Sequence, residues 1–428
     1  MHDFLQSLRK RVLLYDGSKG VMLQGRGLRG DEAAESWNLL KPEEVKDVYR
    51  QYKEAGSDVL QTNTFPGNSV TLGNHGLGDK VADINAAGVK LAREVAGRDV
   101  FVAASVGPTG LFLEPAGELS FELAYGIFRE QVKALAEAGA DLINFETFSD
   151  LNELRAAILA AKENTELPVI ASLTFHKGSK TLSGNPAEVC AIVCQALGAD
   201  VVGANCSGGP ESLLEPIKKM SAVASVPLAV KPNAGLPEIK NGKAVYNQTP
   251  EMFSSYAQDF IACGVRLIGG CCGTTPEHIR ALKKELAGIE APEAAIRNIP
   301  AIASAYSYFV CGADDRCKQL PLWLKKPADA LTAGDFDEII TAALEREAEG
   351  ADYLLLDFGD LCDFRVSEFA SSFGFSVKVP VVVKTGSPDV LAKFLRYYPG
   401  RAGVVPTGQT AGSRAICMHY GALFLPER

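Results

Sequence analysis

From residue 12 to about 290 the chain alternates short apolar, β-branched runs with longer stretches of helical periodicity. The runs are VLLYD at 12–16, DVLQT at 58–62, VFVAAS at 100–105, DLINFET at 141–147, LPVIASLT at 167–174, DVVGANC at 200–206, VPLAVKPN at 226–233 and VRLIGGCC at 265–272. The helical stretches that follow them fall at 42–55, 80–96, 120–138, 150–163, 186–197, 210–221, 250–262 and 276–287. The runs lack strict alternation, as expected of parallel strands covered on both faces. Eight such units predict an α/β fold of the (β/α)8 TIM barrel type, with a doubly wound open sheet as the competing arrangement. In a barrel, function belongs at the carboxyl ends of the strands.

The pattern then changes. GIEAPEAAIRNIP at 288–300 has two prolines and no periodicity and reads as a linker, which divides the chain into domains at 1–290 and 301–428. The second part predicts strands at AYSYFVC 305–311, DYLLLDF 352–358, VPVVVKT 379–385, AGVVP 402–406 and ALFLP 422–426, with helices at 335–350, 366–373 and 387–397. Five strands are too few to close a βα barrel, so this is a smaller α/β domain, either a partial barrel or an open sheet.

Charge narrows the partners. The net charge is −9, with Lys and Arg scattered, so neither the basic footprint of a nucleic-acid binder nor a polybasic membrane surface is present. The first residues contain only the short apolar run VLLY, and no stretch approaches a membrane span, which points to a cytoplasmic protein. In that compartment ten cysteines are buried thiols, metal ligands or catalytic groups rather than a disulfide framework.

The candidate chemistry gathers at strand ends: Asp16, Asn63, Glu146, Cys206, Asn233 and the adjacent Cys271 and Cys272. A vicinal cysteine pair alone reads as two buried thiols, but Cys206 at the end of a nearby strand brings a third sulfur to the same mouth. Three thiolates suit zinc and leave the fourth tetrahedral position open, the mark of a catalytic site. Neighbouring residues on a strand point to opposite faces, so both cysteines reach one ion only if the backbone turns, a freedom expected of Gly269, Gly270 and Gly273. The other seven cysteines read mainly as core packing, with Cys190 and Cys194 on one helix face.

An open thiolate-rich zinc site holds an incoming thiol as a nucleophilic thiolate and activates water poorly, so it fits alkyl transfer to sulfur. Asp16 and Glu146 are placed to grip an ammonium group, which suits an amino-acid thiol; the plainer reading of Glu146 is a helix cap, and of Asn63 and Asn233, turn residues. GRGLRG at 25–30 matches a dinucleotide fingerprint by letter only, because DEAAESWN follows in place of a docked helix, and His278 reads as a surface or capping residue.

YDGSKGVMLQ, DVLQTNTFPGN, SVGPTG, NFETFSDLNELRAAILAA, GANCSGGPE, KPNAGLP and IGGCCGTTPEHI together resemble the zinc-dependent homocysteine S-methyltransferase family, most closely the N-terminal module of cobalamin-dependent methionine synthases. The resemblance covers about 10–290. It implies Cys206, Cys271 and Cys272 as zinc ligands, Asp16 and Glu146 as homocysteine-binding carboxylates, and Asn233 as an active-site asparagine near the metal. The implied reaction is methyl transfer onto the zinc-bound thiolate of homocysteine, giving methionine.

The second domain looks like the beginning of the methyltetrahydrofolate-binding barrel of the same family, but departs from it. Leu355, Leu356, Asp357 and Lys384 stand where the family has pterin-holding residues, and FVCGADDRCK replaces an N-P-T-G-like segment. Unpaired pterin nitrogens would each cost about 1–3 kcal/mol, so folate binding is not expected, and Lys384 is expected to pair with Asp357 instead. No D-x-H-x-x-G segment occurs, so cobalamin is not expected to bind within this chain. The donor implied is a separate methyl-corrinoid protein; a small donor such as S-methylmethionine, a betaine or a methylated thiol is the alternative, and a non-catalytic zinc-binding assembly subunit is a third reading.

Overall fold

The computed structural model describes residues 3–240, 243–289, 299–312, 319–323, 331, 334–359, 361, 365–407 and 410–425. Most of the expected linker, together with Cys317 and Cys362, lies outside them.

Eight parallel strands form the first sheet: β1 Leu13–Leu14, β2 Val59–Gln61, β3 Phe101–Val106, β4 Leu142–Phe148, β5 Val169–Leu173, β6 Val201–Cys206, β7 Leu228–Pro232 and β8 Val265–Ile268. They pair in the order β1-β8-β7-β6-β5-β4-β3-β2. Closure comes from a parallel bridge between Tyr15 and Val59, with Asp58 N donating to Leu14 O at 2.7 Å and Asp16 N to Val59 O at 3.1 Å. The sheet is therefore a (β/α)8 barrel and not a doubly wound open sheet.

Alternate residues of each strand serve different cores. Leu13, Val59, Ala103, Leu142, Ile170, Val201, Ala229 and Leu267, one from each strand, cluster inside the barrel with Phe4 and Leu8. Those two come from a helix at Phe4–Lys10, capped by Asp3, that the sequence reading did not predict. Leu14, Leu60, Val102, Ile143, Val169, Val202, Val230 and Ile268 face outward into the larger core beneath the helices. Fully buried runs on both faces are why the strands read as continuous apolar stretches.

The helices expected after the strands form at Pro42–Glu54, Val81–Ala96, Phe121–Glu137, Leu151–Asn164, Ala187–Ala196, Pro210–Val223 and Pro276–Glu285. The stretch at 250–262 instead splits into Pro250–Ser254 and Ala257–Ala262. Ser254 and Ser255 return their hydroxyls to the carbonyls of Glu251 and Met252, a local bonding that competes with the helical ladder.

A second sheet has five parallel strands in sequential order: β9 Gln319–Trp323, β10 Tyr353–Gly359, β11 Val381–Thr385, β12 Gly403–Pro406 and β13 Leu423–Phe424. The expected first strand at 305–311 is corrected: Tyr308–Val310 pairs antiparallel with Ala301–Ala303 across a turn in which Ser304 N meets Ser307 O. So short a connection can only make a hairpin, never a parallel crossover. On β10, Leu354, Leu356 and Phe358 enter the helix-covered core, while Asp357 faces the other way and pairs with Lys384 of β11, Nζ to Oδ2 at 3.2 Å.

Buried Arg155 of the barrel reaches the second unit, donating from Nη2 to the carbonyls of Leu395 and Arg396 at 3.1 and 3.2 Å. Among the described residues no helix is long and apolar enough to cross a membrane.

Candidate metal centre and substrate pocket

The sulfurs of Cys206, Cys271 and Cys272 lie within 4.8 Å of one another, and this is the one such cluster of metal-binding side chains among the described residues. Each arrives by a local break in the backbone. Cys206, the last residue of β6, has φ 59°, and Ser207 has φ 65°, so the strand ends in a left-handed turn. Thr147, at the end of β4, has φ 66°. Such conformations cost about 1–3 kcal/mol each and persist only where neighbours hold them. Asn205 does the holding: its Oδ1 accepts from Thr147 N at 2.8 Å, and its Nδ2 donates to Thr147 Oγ1 at 2.7 Å and to Cys271 Sγ at 3.8 Å.

The glycines around the cysteine pair have two different jobs. Gly273, with φ 79°, makes the turn, closed by Thr274 Oγ1 donating to Cys271 O at 2.7 Å. Gly269 and Gly270 are required by space instead: a Cβ there would lie 2.4 Å from the Tyr15 Cβ and 2.2 Å from the Thr274 hydroxyl. Of the three glycines expected to let the backbone turn, only Gly273 has a positive φ.

Asn233 stands beside the sulfurs. Its Nδ2 donates to Cys206 Sγ at 3.5 Å, and its Oδ1 accepts from Cys272 N at 3.0 Å. Hydrogen bonds from the Cys271 and Cys272 thiols pull Cys206 down to about 3, and donating those same bonds, more than the charge of Cys206, pushes Cys271 up to about 11 and Cys272 far higher. That donor set, three soft sulfurs converging within 4.8 Å, fits zinc.

The centre opens into a cavity of about 390 Å³ lined by all three cysteines, Gln61, Asn63, Ser105, Glu146, Lys19 and Glu35 among others, a size suited to a small ligand. Glu146 accepts from Gln61 Nε2 at 3.0 Å, from the Ser105 hydroxyl and from Lys231, an ion pair almost wholly removed from water. Asp16 is fully buried and pairs with Lys19, so Lys19 and not Asp16 lines the cavity. Burial raises the Asp16 carboxyl, against the opposing pull of Lys19, and its Oδ1 has no hydrogen-bond partner among the described residues. Asn63 lines the cavity but donates from Nδ2 to Ala34 O at 2.7 Å and Asn38 Oδ1 at 3.1 Å, which ties down the loop before the helix at Trp37–Leu40.

Sequence reasoning missed Lys19, Lys231, Asn205, Gln61 and Glu35, the last a buried carboxyl pushed up to about 7 by desolvation. All but Glu35 stand inside or immediately beside the quoted strand-end segments, which was the available signal. His278 caps its helix, accepting from Thr275 N at 3.2 Å, and stands outside the cysteine cluster. Cys190 and Cys194 are buried in the helix layer.

A closed (β/α)8 barrel with three convergent cysteines beside a cavity at the carboxyl ends of its strands defines a sulfur-centred barrel enzyme. Residues 13–286 match the homocysteine S-methyltransferase family, and the chain belongs to it. A methionine synthase from Mycobacterium tuberculosis is 30% identical over 464 residues, covering 98% of this chain and 38% of that protein. One from Mycobacterium leprae is 33% identical over 305 residues, covering 67% of this chain and 25% of its own. The chain thus spans well under half the length of these relatives. The crystal structure of the homocysteine methyltransferase MmuM from Escherichia coli, in its oxidized form, aligns with a TM-score of 0.57 at 25% identity, covering 66% of this chain and 98% of that one.

Proposed function

We propose that this protein methylates the sulfur of homocysteine to give methionine, in the cytoplasm, using zinc held by Cys206, Cys271 and Cys272. The observation that carries the reading is the convergence of three sulfurs within 4.8 Å at the edge of a cavity whose wall also holds Glu146. Bound zinc would supply the charge that lets a substrate thiol lose its proton at neutral pH.

The chain's own residues do the rest. Asn233 donates to the Cys206 sulfur and tempers its charge, while accepting from the Cys272 amide to fix the turn. Asn205 donates to the Cys271 sulfur at 3.8 Å. Glu146, oriented by Gln61, Ser105 and Lys231, offers a carboxylate to the substrate ammonium. Its three partners leave it little freedom, so the amino acid is held in one place relative to the sulfur centre.

The donor proposed is a separate methyl-corrinoid protein. Leu111 and Phe112 after β3, Leu182 after β5 and Leu236 after β7 are exposed apolar side chains on loops that follow barrel strands, and Phe112 and Leu182 line a groove shared with Tyr306 and Phe375, apolar surface better matched to a protein than to a small soluble donor. The test is methionine formation by the zinc-loaded chain from homocysteine with a methylated corrinoid protein, methylcobalamin, S-methylmethionine or betaine. Methionine from a corrinoid donor is expected; turnover with S-methylmethionine or betaine only would replace the donor, and none with any would defeat the reading.

A further inference from the structure

Lys19 is a cation in the cavity wall that the reading above leaves unused. Its side chain is 11% exposed, and its ammonium donates to Asp16 Oδ2 and to Gly17 O at 3.3 Å. An ammonium has three protons. The third has no hydrogen-bond acceptor among the described residues, the Tyr52 ring lying 5.7 Å away, at a group that faces the cavity.

The surroundings fix the polarity of the wall. Lys231 is 1% exposed and spends itself on Gln61 Oε1 and Glu146, so it does not reach the cavity. Gln61 ties the two ion pairs together, its backbone N donating to Asp16 Oδ2 at 2.9 Å and its Nε2 to Glu146 Oε1 at 3.0 Å. A ligand in the cavity therefore meets one lysine, Lys19, together with the carboxyl of Glu146, and beside the three cysteines Glu32, Glu35 and His75 complete the titratable groups of the wall. A zwitterionic amino acid presents the complementary pair.

We infer that Lys19 is a positioning residue that holds the α-carboxylate of the thiol substrate; this rests on the homocysteine reading. Burial lowers Lys19, with Asp16 opposing, and a second anion would add to that opposition and keep the ammonium charged. The opposite arrangement has Lys19 occupying the place of a substrate ammonium at Asp16, to be displaced on binding. The two differ in sign when Lys19 is removed.

The experiment is calorimetric binding to the zinc-loaded full chain of L-homocysteine, 4-mercaptobutanoate, which lacks the amino group, and 3-aminopropane-1-thiol, which lacks the carboxylate. Wild type is expected to bind 3-aminopropane-1-thiol about tenfold to a hundredfold more weakly than homocysteine, the span of one charge-assisted hydrogen bond. Lys19→Met is expected to weaken homocysteine and 4-mercaptobutanoate by a similar factor and leave 3-aminopropane-1-thiol unchanged. Because that variant strips buried Asp16 of its counter-charge, Asp16→Asn/Lys19→Met is measured beside it, and the wild-type series stands without either. Equal wild-type binding of homocysteine and 3-aminopropane-1-thiol, or tighter homocysteine binding by Lys19→Met, overturns the inference and leaves the homocysteine reading standing. Binding of none of the three by wild type overturns both.

Discussion

Asn233 touches both sides of the sulfur cluster, donating to Cys206 Sγ at 3.5 Å while accepting from the Cys272 amide at 3.0 Å. One carboxamide thus couples the end of β6 to the turn after β8. Groups that orient metal ligands in this way typically contribute tenfold to a hundredfold in metal affinity. Asn233→Ala is expected to weaken zinc binding by about that factor in chelator competition, without loss of fold by circular dichroism. Affinity equal to wild type would show that the asparagine does not support the centre.

Lys231 and Glu146 form the most deeply buried ion pair of the site. Removing one partner strands the other charge, at a cost of about 3–5 kcal/mol, whereas removing both is often close to neutral. Lys231→Met is therefore expected to lose about 3–5 kcal/mol in urea unfolding, and Lys231→Met/Glu146→Gln to recover most of it. Equal losses in the two variants would mean that packing of the lysine stem, and not charge, sets the effect.

Two carboxyls give the fold an unusual dependence on pH. Burial pushes both Glu35 and Glu153 up to about 7. Glu153 keeps its place by accepting from Thr109 N at 2.8 Å and Thr109 Oγ1 at 2.6 Å. A carboxyl raised on folding binds its proton more tightly in the folded state, so stability is highest below the unfolded value and falls as pH rises from about 4.5 to about 7. The loss is about 3 kcal/mol per group at most. Glu153→Gln is expected to flatten part of the decline between pH 5 and pH 8 in urea unfolding; a slope identical to wild type would contradict the assignment.

The barrel was legible because its strands are buried on both faces, as Val169–Leu173 shows, and all but Leu228–Pro232 are followed by a helix of ten residues or more. The sulfur centre was legible because GANC and GGCC end such strands. Strand β9 was not read, and Pro321 in its middle explains why: proline argues against a central strand, and β9 lies at a sheet edge where it is tolerated. Lys19 and Lys231 were missed for a different reason. Lys231 meets Glu146 across 85 residues of chain, and nothing local to either announces the pair. Asp16 looked open to a ligand from its position at a strand end, whereas Lys19, three residues on, takes the cavity wall.

The central claim is a three-cysteine zinc centre that takes up a thiol. Zinc K-edge X-ray absorption on the purified chain, with metal stoichiometry, tests it most directly. One zinc per chain with three sulfur neighbours, rising to four on addition of homocysteine, is the predicted result. No zinc, or a sulfur count that homocysteine leaves unchanged, would contradict the account.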